Sequence, residues 1–91
     1  MEPLEQVFGN VLRRHRTAAR VSQEALAGRA SLDRTYISML ERGKRMPSIE
    51  VVHRLARALG ITMVLLVGDL ETELRKQEPT PAPASPSEDP A

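Results

Sequence analysis

The 91-residue chain contains no cysteine. That excludes a disulfide frame and thiolate metal sites, and makes a reducing compartment the expected one. No stretch approaches the roughly 18 consecutive apolar residues of a membrane span. The N-terminus, MEPLEQ, opens with acids and a proline where a secretory signal has basic residues followed by an apolar run. A cytoplasmic protein is the expectation. There is no HExxH, no carboxylate cluster and no glycine-rich phosphate loop after a strand. The two histidines, His15 and His53, fall on different predicted helices. These absences point away from an enzyme and from any metal or cofactor.

Proline is scarce except at the C-terminus, where residues 78–91, EPTPAPASPSEDPA, hold five of the seven. Closely spaced proline removes amide donors, and the segment has little apolar side chain to bury, so a disordered acidic tail is expected there. Residues 1–77 remain for a single domain. A domain that small buries only about 60% of its unfolded surface, which makes pairing with a second copy an expected source of stability.

The net charge of +1 conceals an uneven distribution. Between Arg13 and Arg57 there are eleven Lys and Arg against four acids, Glu24, Asp33, Glu41 and Glu50, whereas the tail carries Glu78, Glu88 and Asp89. A basic block of this kind suits a nucleic acid or an acidic protein surface.

Apolar residues recur at helical spacing between short turn signals, so the predicted class is all-α with five helices. The first spans about Leu4 to Ala19, with Phe8, Leu12, His15 and Ala19 on one face. Ser22 caps a second, Gln23 to Ala30, with Val21 and Leu26 spaced as a hydrophobic staple. Asp33 caps a third, Arg34 to about Arg42, which Gly43 ends in the left-handed region. Ser48 caps a fourth, whose Ile49, Val52, Leu55, Ala56 and Leu59 are expected to face inward until Gly60. Periodicity does not separate helix from strand in ITMVLLV, residues 61–67. Thr62 as a cap favours a fifth helix continuing through GDLETELRKQ.

The most informative block is QEALAGRASLDRTYISML, residues 23–40. Only Ser31, Leu32 and Asp33 separate its two helices, which forces a steep crossing, with Ala27 small enough to sit where the backbones touch. Leu26, Ala30, Leu32, Ile37 and Leu40 form the apolar set between them. The outward face of the second helix then carries Arg34, Thr35, Ser38 and Met39. In a helix-turn-helix, the start of this helix enters the major groove. Arg34 can donate twice to guanine, Thr35 and Ser38 can donate or accept, and Met39 can lie against a thymine methyl.

From Arg13 to Ile61 the pattern RxxRxxxxVSQEALAxxxxLDRTYISMLERGKRMPSIEVVHRLARALGI resembles the lambda-repressor and Cro-type helix-turn-helix family, also called the xenobiotic-response-element family. The phrase LDRTYISMLERG is also similar to the controller proteins of restriction–modification systems. The resemblance implies a compact five-helix, lambda-repressor-like DNA-binding domain and a repressor or autoregulator acting on double-stranded DNA. It implies base reading by Arg34 and Thr35 and backbone contacts by Gln23, Tyr36, Arg42, Lys44 and Arg45. Arg16 and Glu41 match an internal salt bridge of the family. The family often has glycine where this chain has Arg20 and Ser31; a positive φ at either costs about 1 kcal/mol.

Val64, Leu65, Leu66, Val67, Leu70 and Leu74 exceed what one small domain covers and are the expected seam of a homodimer. Two-fold symmetry then demands a pseudo-palindromic operator with half-sites about 34 Å apart, or a multiple of that. A second reading uses the same helix-turn-helix as an antitoxin or protein-interaction module whose partner is a toxin chain. A strand at residues 61–67 pairing across a dimer would favour it.

Overall fold

Among the described residues, four of five helices begin where a short polar side chain accepts a hydrogen bond from an otherwise unpaired amide. The computed structural model describes residues 1–78, and the expectation of a disordered tail falls, but for Glu78, outside the described residues. The helices are α1 (Leu4–Ala18), α2 (Gln23–Ala30), α3 (Arg34–Glu41), α4 (Ile49–Leu59) and α5 (Met63–Lys76). Ser22 Oγ accepts from Ala25 N at 3.0 Å, Asp33 Oδ2 from Thr35 N at 2.9 Å, Ser48 Oγ from Val51 N at 3.1 Å and Thr62 Oγ1 from Leu65 N at 3.0 Å. Each such cap contributes about 1 kcal/mol. Only α1, entered through Pro3, lacks a side-chain cap.

The first four helices also end alike. Arg20, Ser31, Gly43 and Gly60 all have positive φ, at 59°, 58°, 72° and 73°. The next amide returns to the helix in each case: Val21 N to Arg16 O, Leu32 N to Ala27 O, Lys44 N to Met39 O and Ile61 N to Ala56 O, all at 2.9–3.2 Å. Carbonyls left unpaired at the helix ends are thereby satisfied. Arg20 and Ser31 hold the left-handed geometry without being glycine, so the strain expected at those positions is present.

The core draws Phe8, Val11 and Leu12 from α1, Leu26, Ala27 and Ala30 from α2, Ile37 and Leu40 from α3, Val52, Leu55 and Ala56 from α4, and Leu66 from α5. The buried stripe of α1 is broader than expected, taking in Val7 and Val11, because this helix packs against both α3 and α5. Ala19, placed on that stripe by spacing, follows the last helical residue and is exposed. Ile49 was also expected inward and is instead 71% exposed. It opens the first turn of α4, one turn ahead of Val52, where the stripe runs past the elements that cover it.

Residues 61–67 contain the start of α5, and the chain turns by 109° between α4 and α5. The strand that would have favoured an antitoxin is absent among the described residues, and that reading loses its support. The α5 helix is tied to α1 by His15 Nε2, 2.6 Å from Asp69 Oδ2, and by Arg14 Nη1, which donates to Glu73 Oε2 at 3.3 Å. Bonds from Lys76 and Arg14 hold the Glu73 carboxyl below its usual range, against a smaller opposing effect of burial. Among the described residues no single helix is long and apolar enough to cross a membrane.

Candidate nucleic-acid interface

The α3 helix is fixed on its inner side by Ile37 and Leu40, both fully buried, which meet Leu26, Ala27 and Ala30 of α2. Leu32, in the turn, is half-buried against the same cluster. With that face committed, Arg34 and Thr35 at the start of α3 are exposed, and Ser38 and Met39 one turn later are half-buried. Asp33 lies beside them, but one of its oxygens is taken by the Thr35 amide, and the first turn of α3 contains no acid. Arg34 makes no hydrogen bond or ion pair among the described residues. Its guanidinium is free to meet an acceptor brought from outside.

The far end of α3 is held by two close approaches that the sequence reading did not find. A side chain at Gly9 of α1 would collide with Leu40 O and would lie 2.7 Å from Glu41 O. One at Gly43 would lie 2.9 Å from Gln6 Cα. Helix α1 therefore lies directly on the end of α3, and the loop carrying Lys44 and Arg45 leaves from a fixed point. Nothing in the spacing of one sequence marks Gly9, because a glycine inside a helix carries no signal of what crosses it.

Glu41 is the one buried charged residue among the described residues. Its Oε2 accepts from Arg16 Nε at 2.6 Å and its Oε1 from Arg16 Nη2 at 3.0 Å, a two-pronged pairing, while Arg16 Nη1 donates to Val21 O at 2.9 Å. The bond to Glu41 raises the Arg16 pKa against the opposing effect of desolvation. A third donor reaches the same carboxylate: Gln23 Nε2, 3.0 Å from Glu41 Oε1. Gln23 was expected as a backbone contact, and the first amide of α2's opening residue is thus partly engaged inside the protein. Its carbonyl oxygen and second amide hydrogen remain.

Tyr36 is half-buried against the core, and the Arg45 guanidinium sits 5.5 Å from its ring centre. A cation over an aromatic face is attracted by the ring's quadrupole, which gives Arg45 a preferred position before any ligand arrives. Arg42 Nε donates at 3.3 Å to Ser38 O, which also accepts from the Arg42 backbone amide at 3.0 Å. The Lys44 side chain is exposed and makes no hydrogen bond or ion pair among the described residues. Of the expected seam residues, Leu66 is fully buried in its own domain and has no surface left for a partner, whereas Val64, Leu65 and Val67 are 83%, 45% and 41% exposed. Leu70 and Leu74 are half-buried.

The family model described as a helix-turn-helix domain matches residues 7–66. Control protein C.MunI of a Mycoplasma species is 39% identical over 74 residues, covering 80% of this chain and all of that protein. Control protein C.BamHI of Bacillus amyloliquefaciens is 41% identical over 56 residues, covering 60% of this chain and 69% of its own length. The crystal structure of the restriction-modification controller protein C.AhdI from Aeromonas hydrophila superposes with a TM-score of 0.67 at 44% identity, covering 68% of this chain and 94% of that one. With its paired helices, buried Arg16–Glu41 bridge and exposed α3 entry, the chain belongs to the Cro/CI-type helix-turn-helix family of DNA-binding transcription regulators.

Proposed function

We propose that this protein is a homodimeric controller that represses or autoregulates transcription from a pseudo-palindromic operator. Arg34, Thr35, Ser38 and Met39 read base edges in the major groove. Gln23, Tyr36, Arg42, Lys44 and Arg45 hold the flanking phosphates. The observation that carries the reading is the free Arg34 guanidinium at the exposed, acid-free entry of a helix whose other face is locked into the core. An arginine fork there matches guanine O6 and N7, the commonest specific contact in the major groove. The second copy docks along α5, where Met63, Val64, Val67, Gly68 and Glu71 line a shallow, mostly apolar groove. Likeness to three control proteins, one of them a restriction-modification controller protein, supports a role as the controller of a restriction–modification system.

A gel shift with duplexes from upstream of the protein's own gene tests this directly. The expected result is a shifted band that survives competition by scrambled duplex, with dyad symmetry in the protected sequence. Equal competition by scrambled duplex would overturn operator specificity, and a footprint of a single half-site would overturn the dimer.

A further inference from the structure

We infer that the hollow between the end of α2 and the outer face of α4 is an anion site that binds phosphate groups. It is separate from the residues assigned to the DNA face. Arg29, Ala30, Ser31, Arg54 and Arg57 line it, enclosing about 260 Å³. Arg54 and Arg57 lie three apart on α4 and so share a face, and Arg29 reaches the same hollow from the last turn of α2.

The charges there are only partly balanced. Glu50 takes one nitrogen of Arg54, Nη2 at 2.9 Å, and leaves its other donors open. The side chains of Arg29 and Arg57 have no ion pair or hydrogen bond among the described residues, and no acid lines the hollow. The dipoles of α2 and α4 favour a cation in each last turn and account for Arg29 and Arg57 taken singly. They do not account for three arginines lining one concavity, where protein walls focus positive potential. Guanidinium forks match phosphate oxygens two at a time.

Ser31 is the second, independent observation. It holds φ 58° at the end of α2, where Gly60 serves the equivalent place at the end of α4. Glycine would relieve the strain, but it would remove a hydroxyl from the wall of the hollow. Arg20 holds the same strain at φ 59°, so strain by itself assigns no role; what Ser31 adds is a polar residue in the lining of the hollow. The hollow is smaller than the roughly 300 Å³ at which sites enclose whole ligands, so it takes the phosphates and leaves the rest of the molecule in solvent. Two sources share this chemistry: the phosphates of a free nucleotide and the phosphates of a DNA strand running beyond the operator.

The test uses the full chain at constant ionic strength, with sodium diphosphate and ADP as probes in thermal-shift and calorimetric titrations. Saturable binding is expected, weakened roughly tenfold or more in Arg29→Ala/Arg57→Ala by loss of charge-assisted bonds, and unchanged in Lys44→Ala. Ser31→Gly should melt higher than the parent without ligand and still bind diphosphate more weakly, a combination that a purely structural serine would not produce. If the free anions do not bind, but the double variant flattens the salt dependence on a long duplex and not on an operator-length one, the phosphates come from DNA. Diphosphate binding that survives the double variant, or no effect in either arm, overturns the site. Operator-length binding reports separately on the major-groove reading, so either idea can fail alone.

Discussion

Gln23 and Arg16 share one carboxylate: Glu41 Oε1 accepts from Gln23 Nε2 and from Arg16 Nη2, both at 3.0 Å. The residue that opens α2 is therefore oriented by a buried charge at the end of α3, and the side-chain amide proposed to meet a DNA phosphate is linked to the core through that group. Removing Glu41 would strand a mostly buried guanidinium and release Gln23 together.

Glu41→Ala is expected to lose about 3 kcal/mol of stability, the scale for breaking a buried pair by removing one partner. Urea denaturation measures it. Gln23→Ala should leave stability within about 1 kcal/mol, since it removes one of three donors to a carboxylate that Arg16 still pairs. A small loss for Glu41→Ala would mean that the pair is solvated in solution.

Reading and anchoring separate in two variants. Arg34→Ala should lose about 1–3 kcal/mol on the cognate operator and little on scrambled duplex, because it removes a base contact. Lys44→Ala should weaken both duplexes alike and lower the salt slope by about one charge per subunit. Fluorescence anisotropy across a salt series measures both. Equal weakening by Arg34→Ala on the two duplexes would reassign base reading to Thr35, Ser38 or Met39.

Within one run of α5, adjacent residues should behave oppositely. Val64→Glu alters a side chain that is 83% exposed and should yield a folded monomer by light scattering. Leu66→Ala empties a fully buried position and should cost about 2–5 kcal/mol whatever the oligomeric state. A Val64→Glu protein that remains dimeric would place the seam elsewhere.

Backbone geometry makes a further pair of opposed expectations. Arg20→Gly relieves a left-handed residue at φ 59° and should gain up to about 1 kcal/mol. Gly9→Ala places a methyl group against the carbonyls of Leu40 and Glu41 and should lose at least about 1–3 kcal/mol through forced backbone shifts. Thermal melts of the two variants moving in opposite directions would bear this out; a neutral Gly9→Ala would show that α1 and α3 can separate.

The helices were legible from the sequence because their boundaries are local chemistry. A serine, threonine or aspartate two or three residues ahead of an amide caps it wherever the rest of the chain goes, and Ser22, Asp33, Ser48 and Thr62 all do so. The helix-turn-helix face followed from helical spacing, since burying Ile37 and Leu40 leaves Arg34 and Thr35 outside. Spacing alone could not tell where a stripe stops being covered. Ile49 and Leu66 both lie in apolar patterns, yet one is open to solvent and the other has none left to reach, because coverage depends on where neighbouring helices end. The crossing at Gly9, the Gln23–Glu41 bond across 18 residues and the three arginines of the α2–α4 hollow belong to the same class. Each joins groups remote in sequence, so only the packing of α1, α2, α3 and α4 against one another decided them.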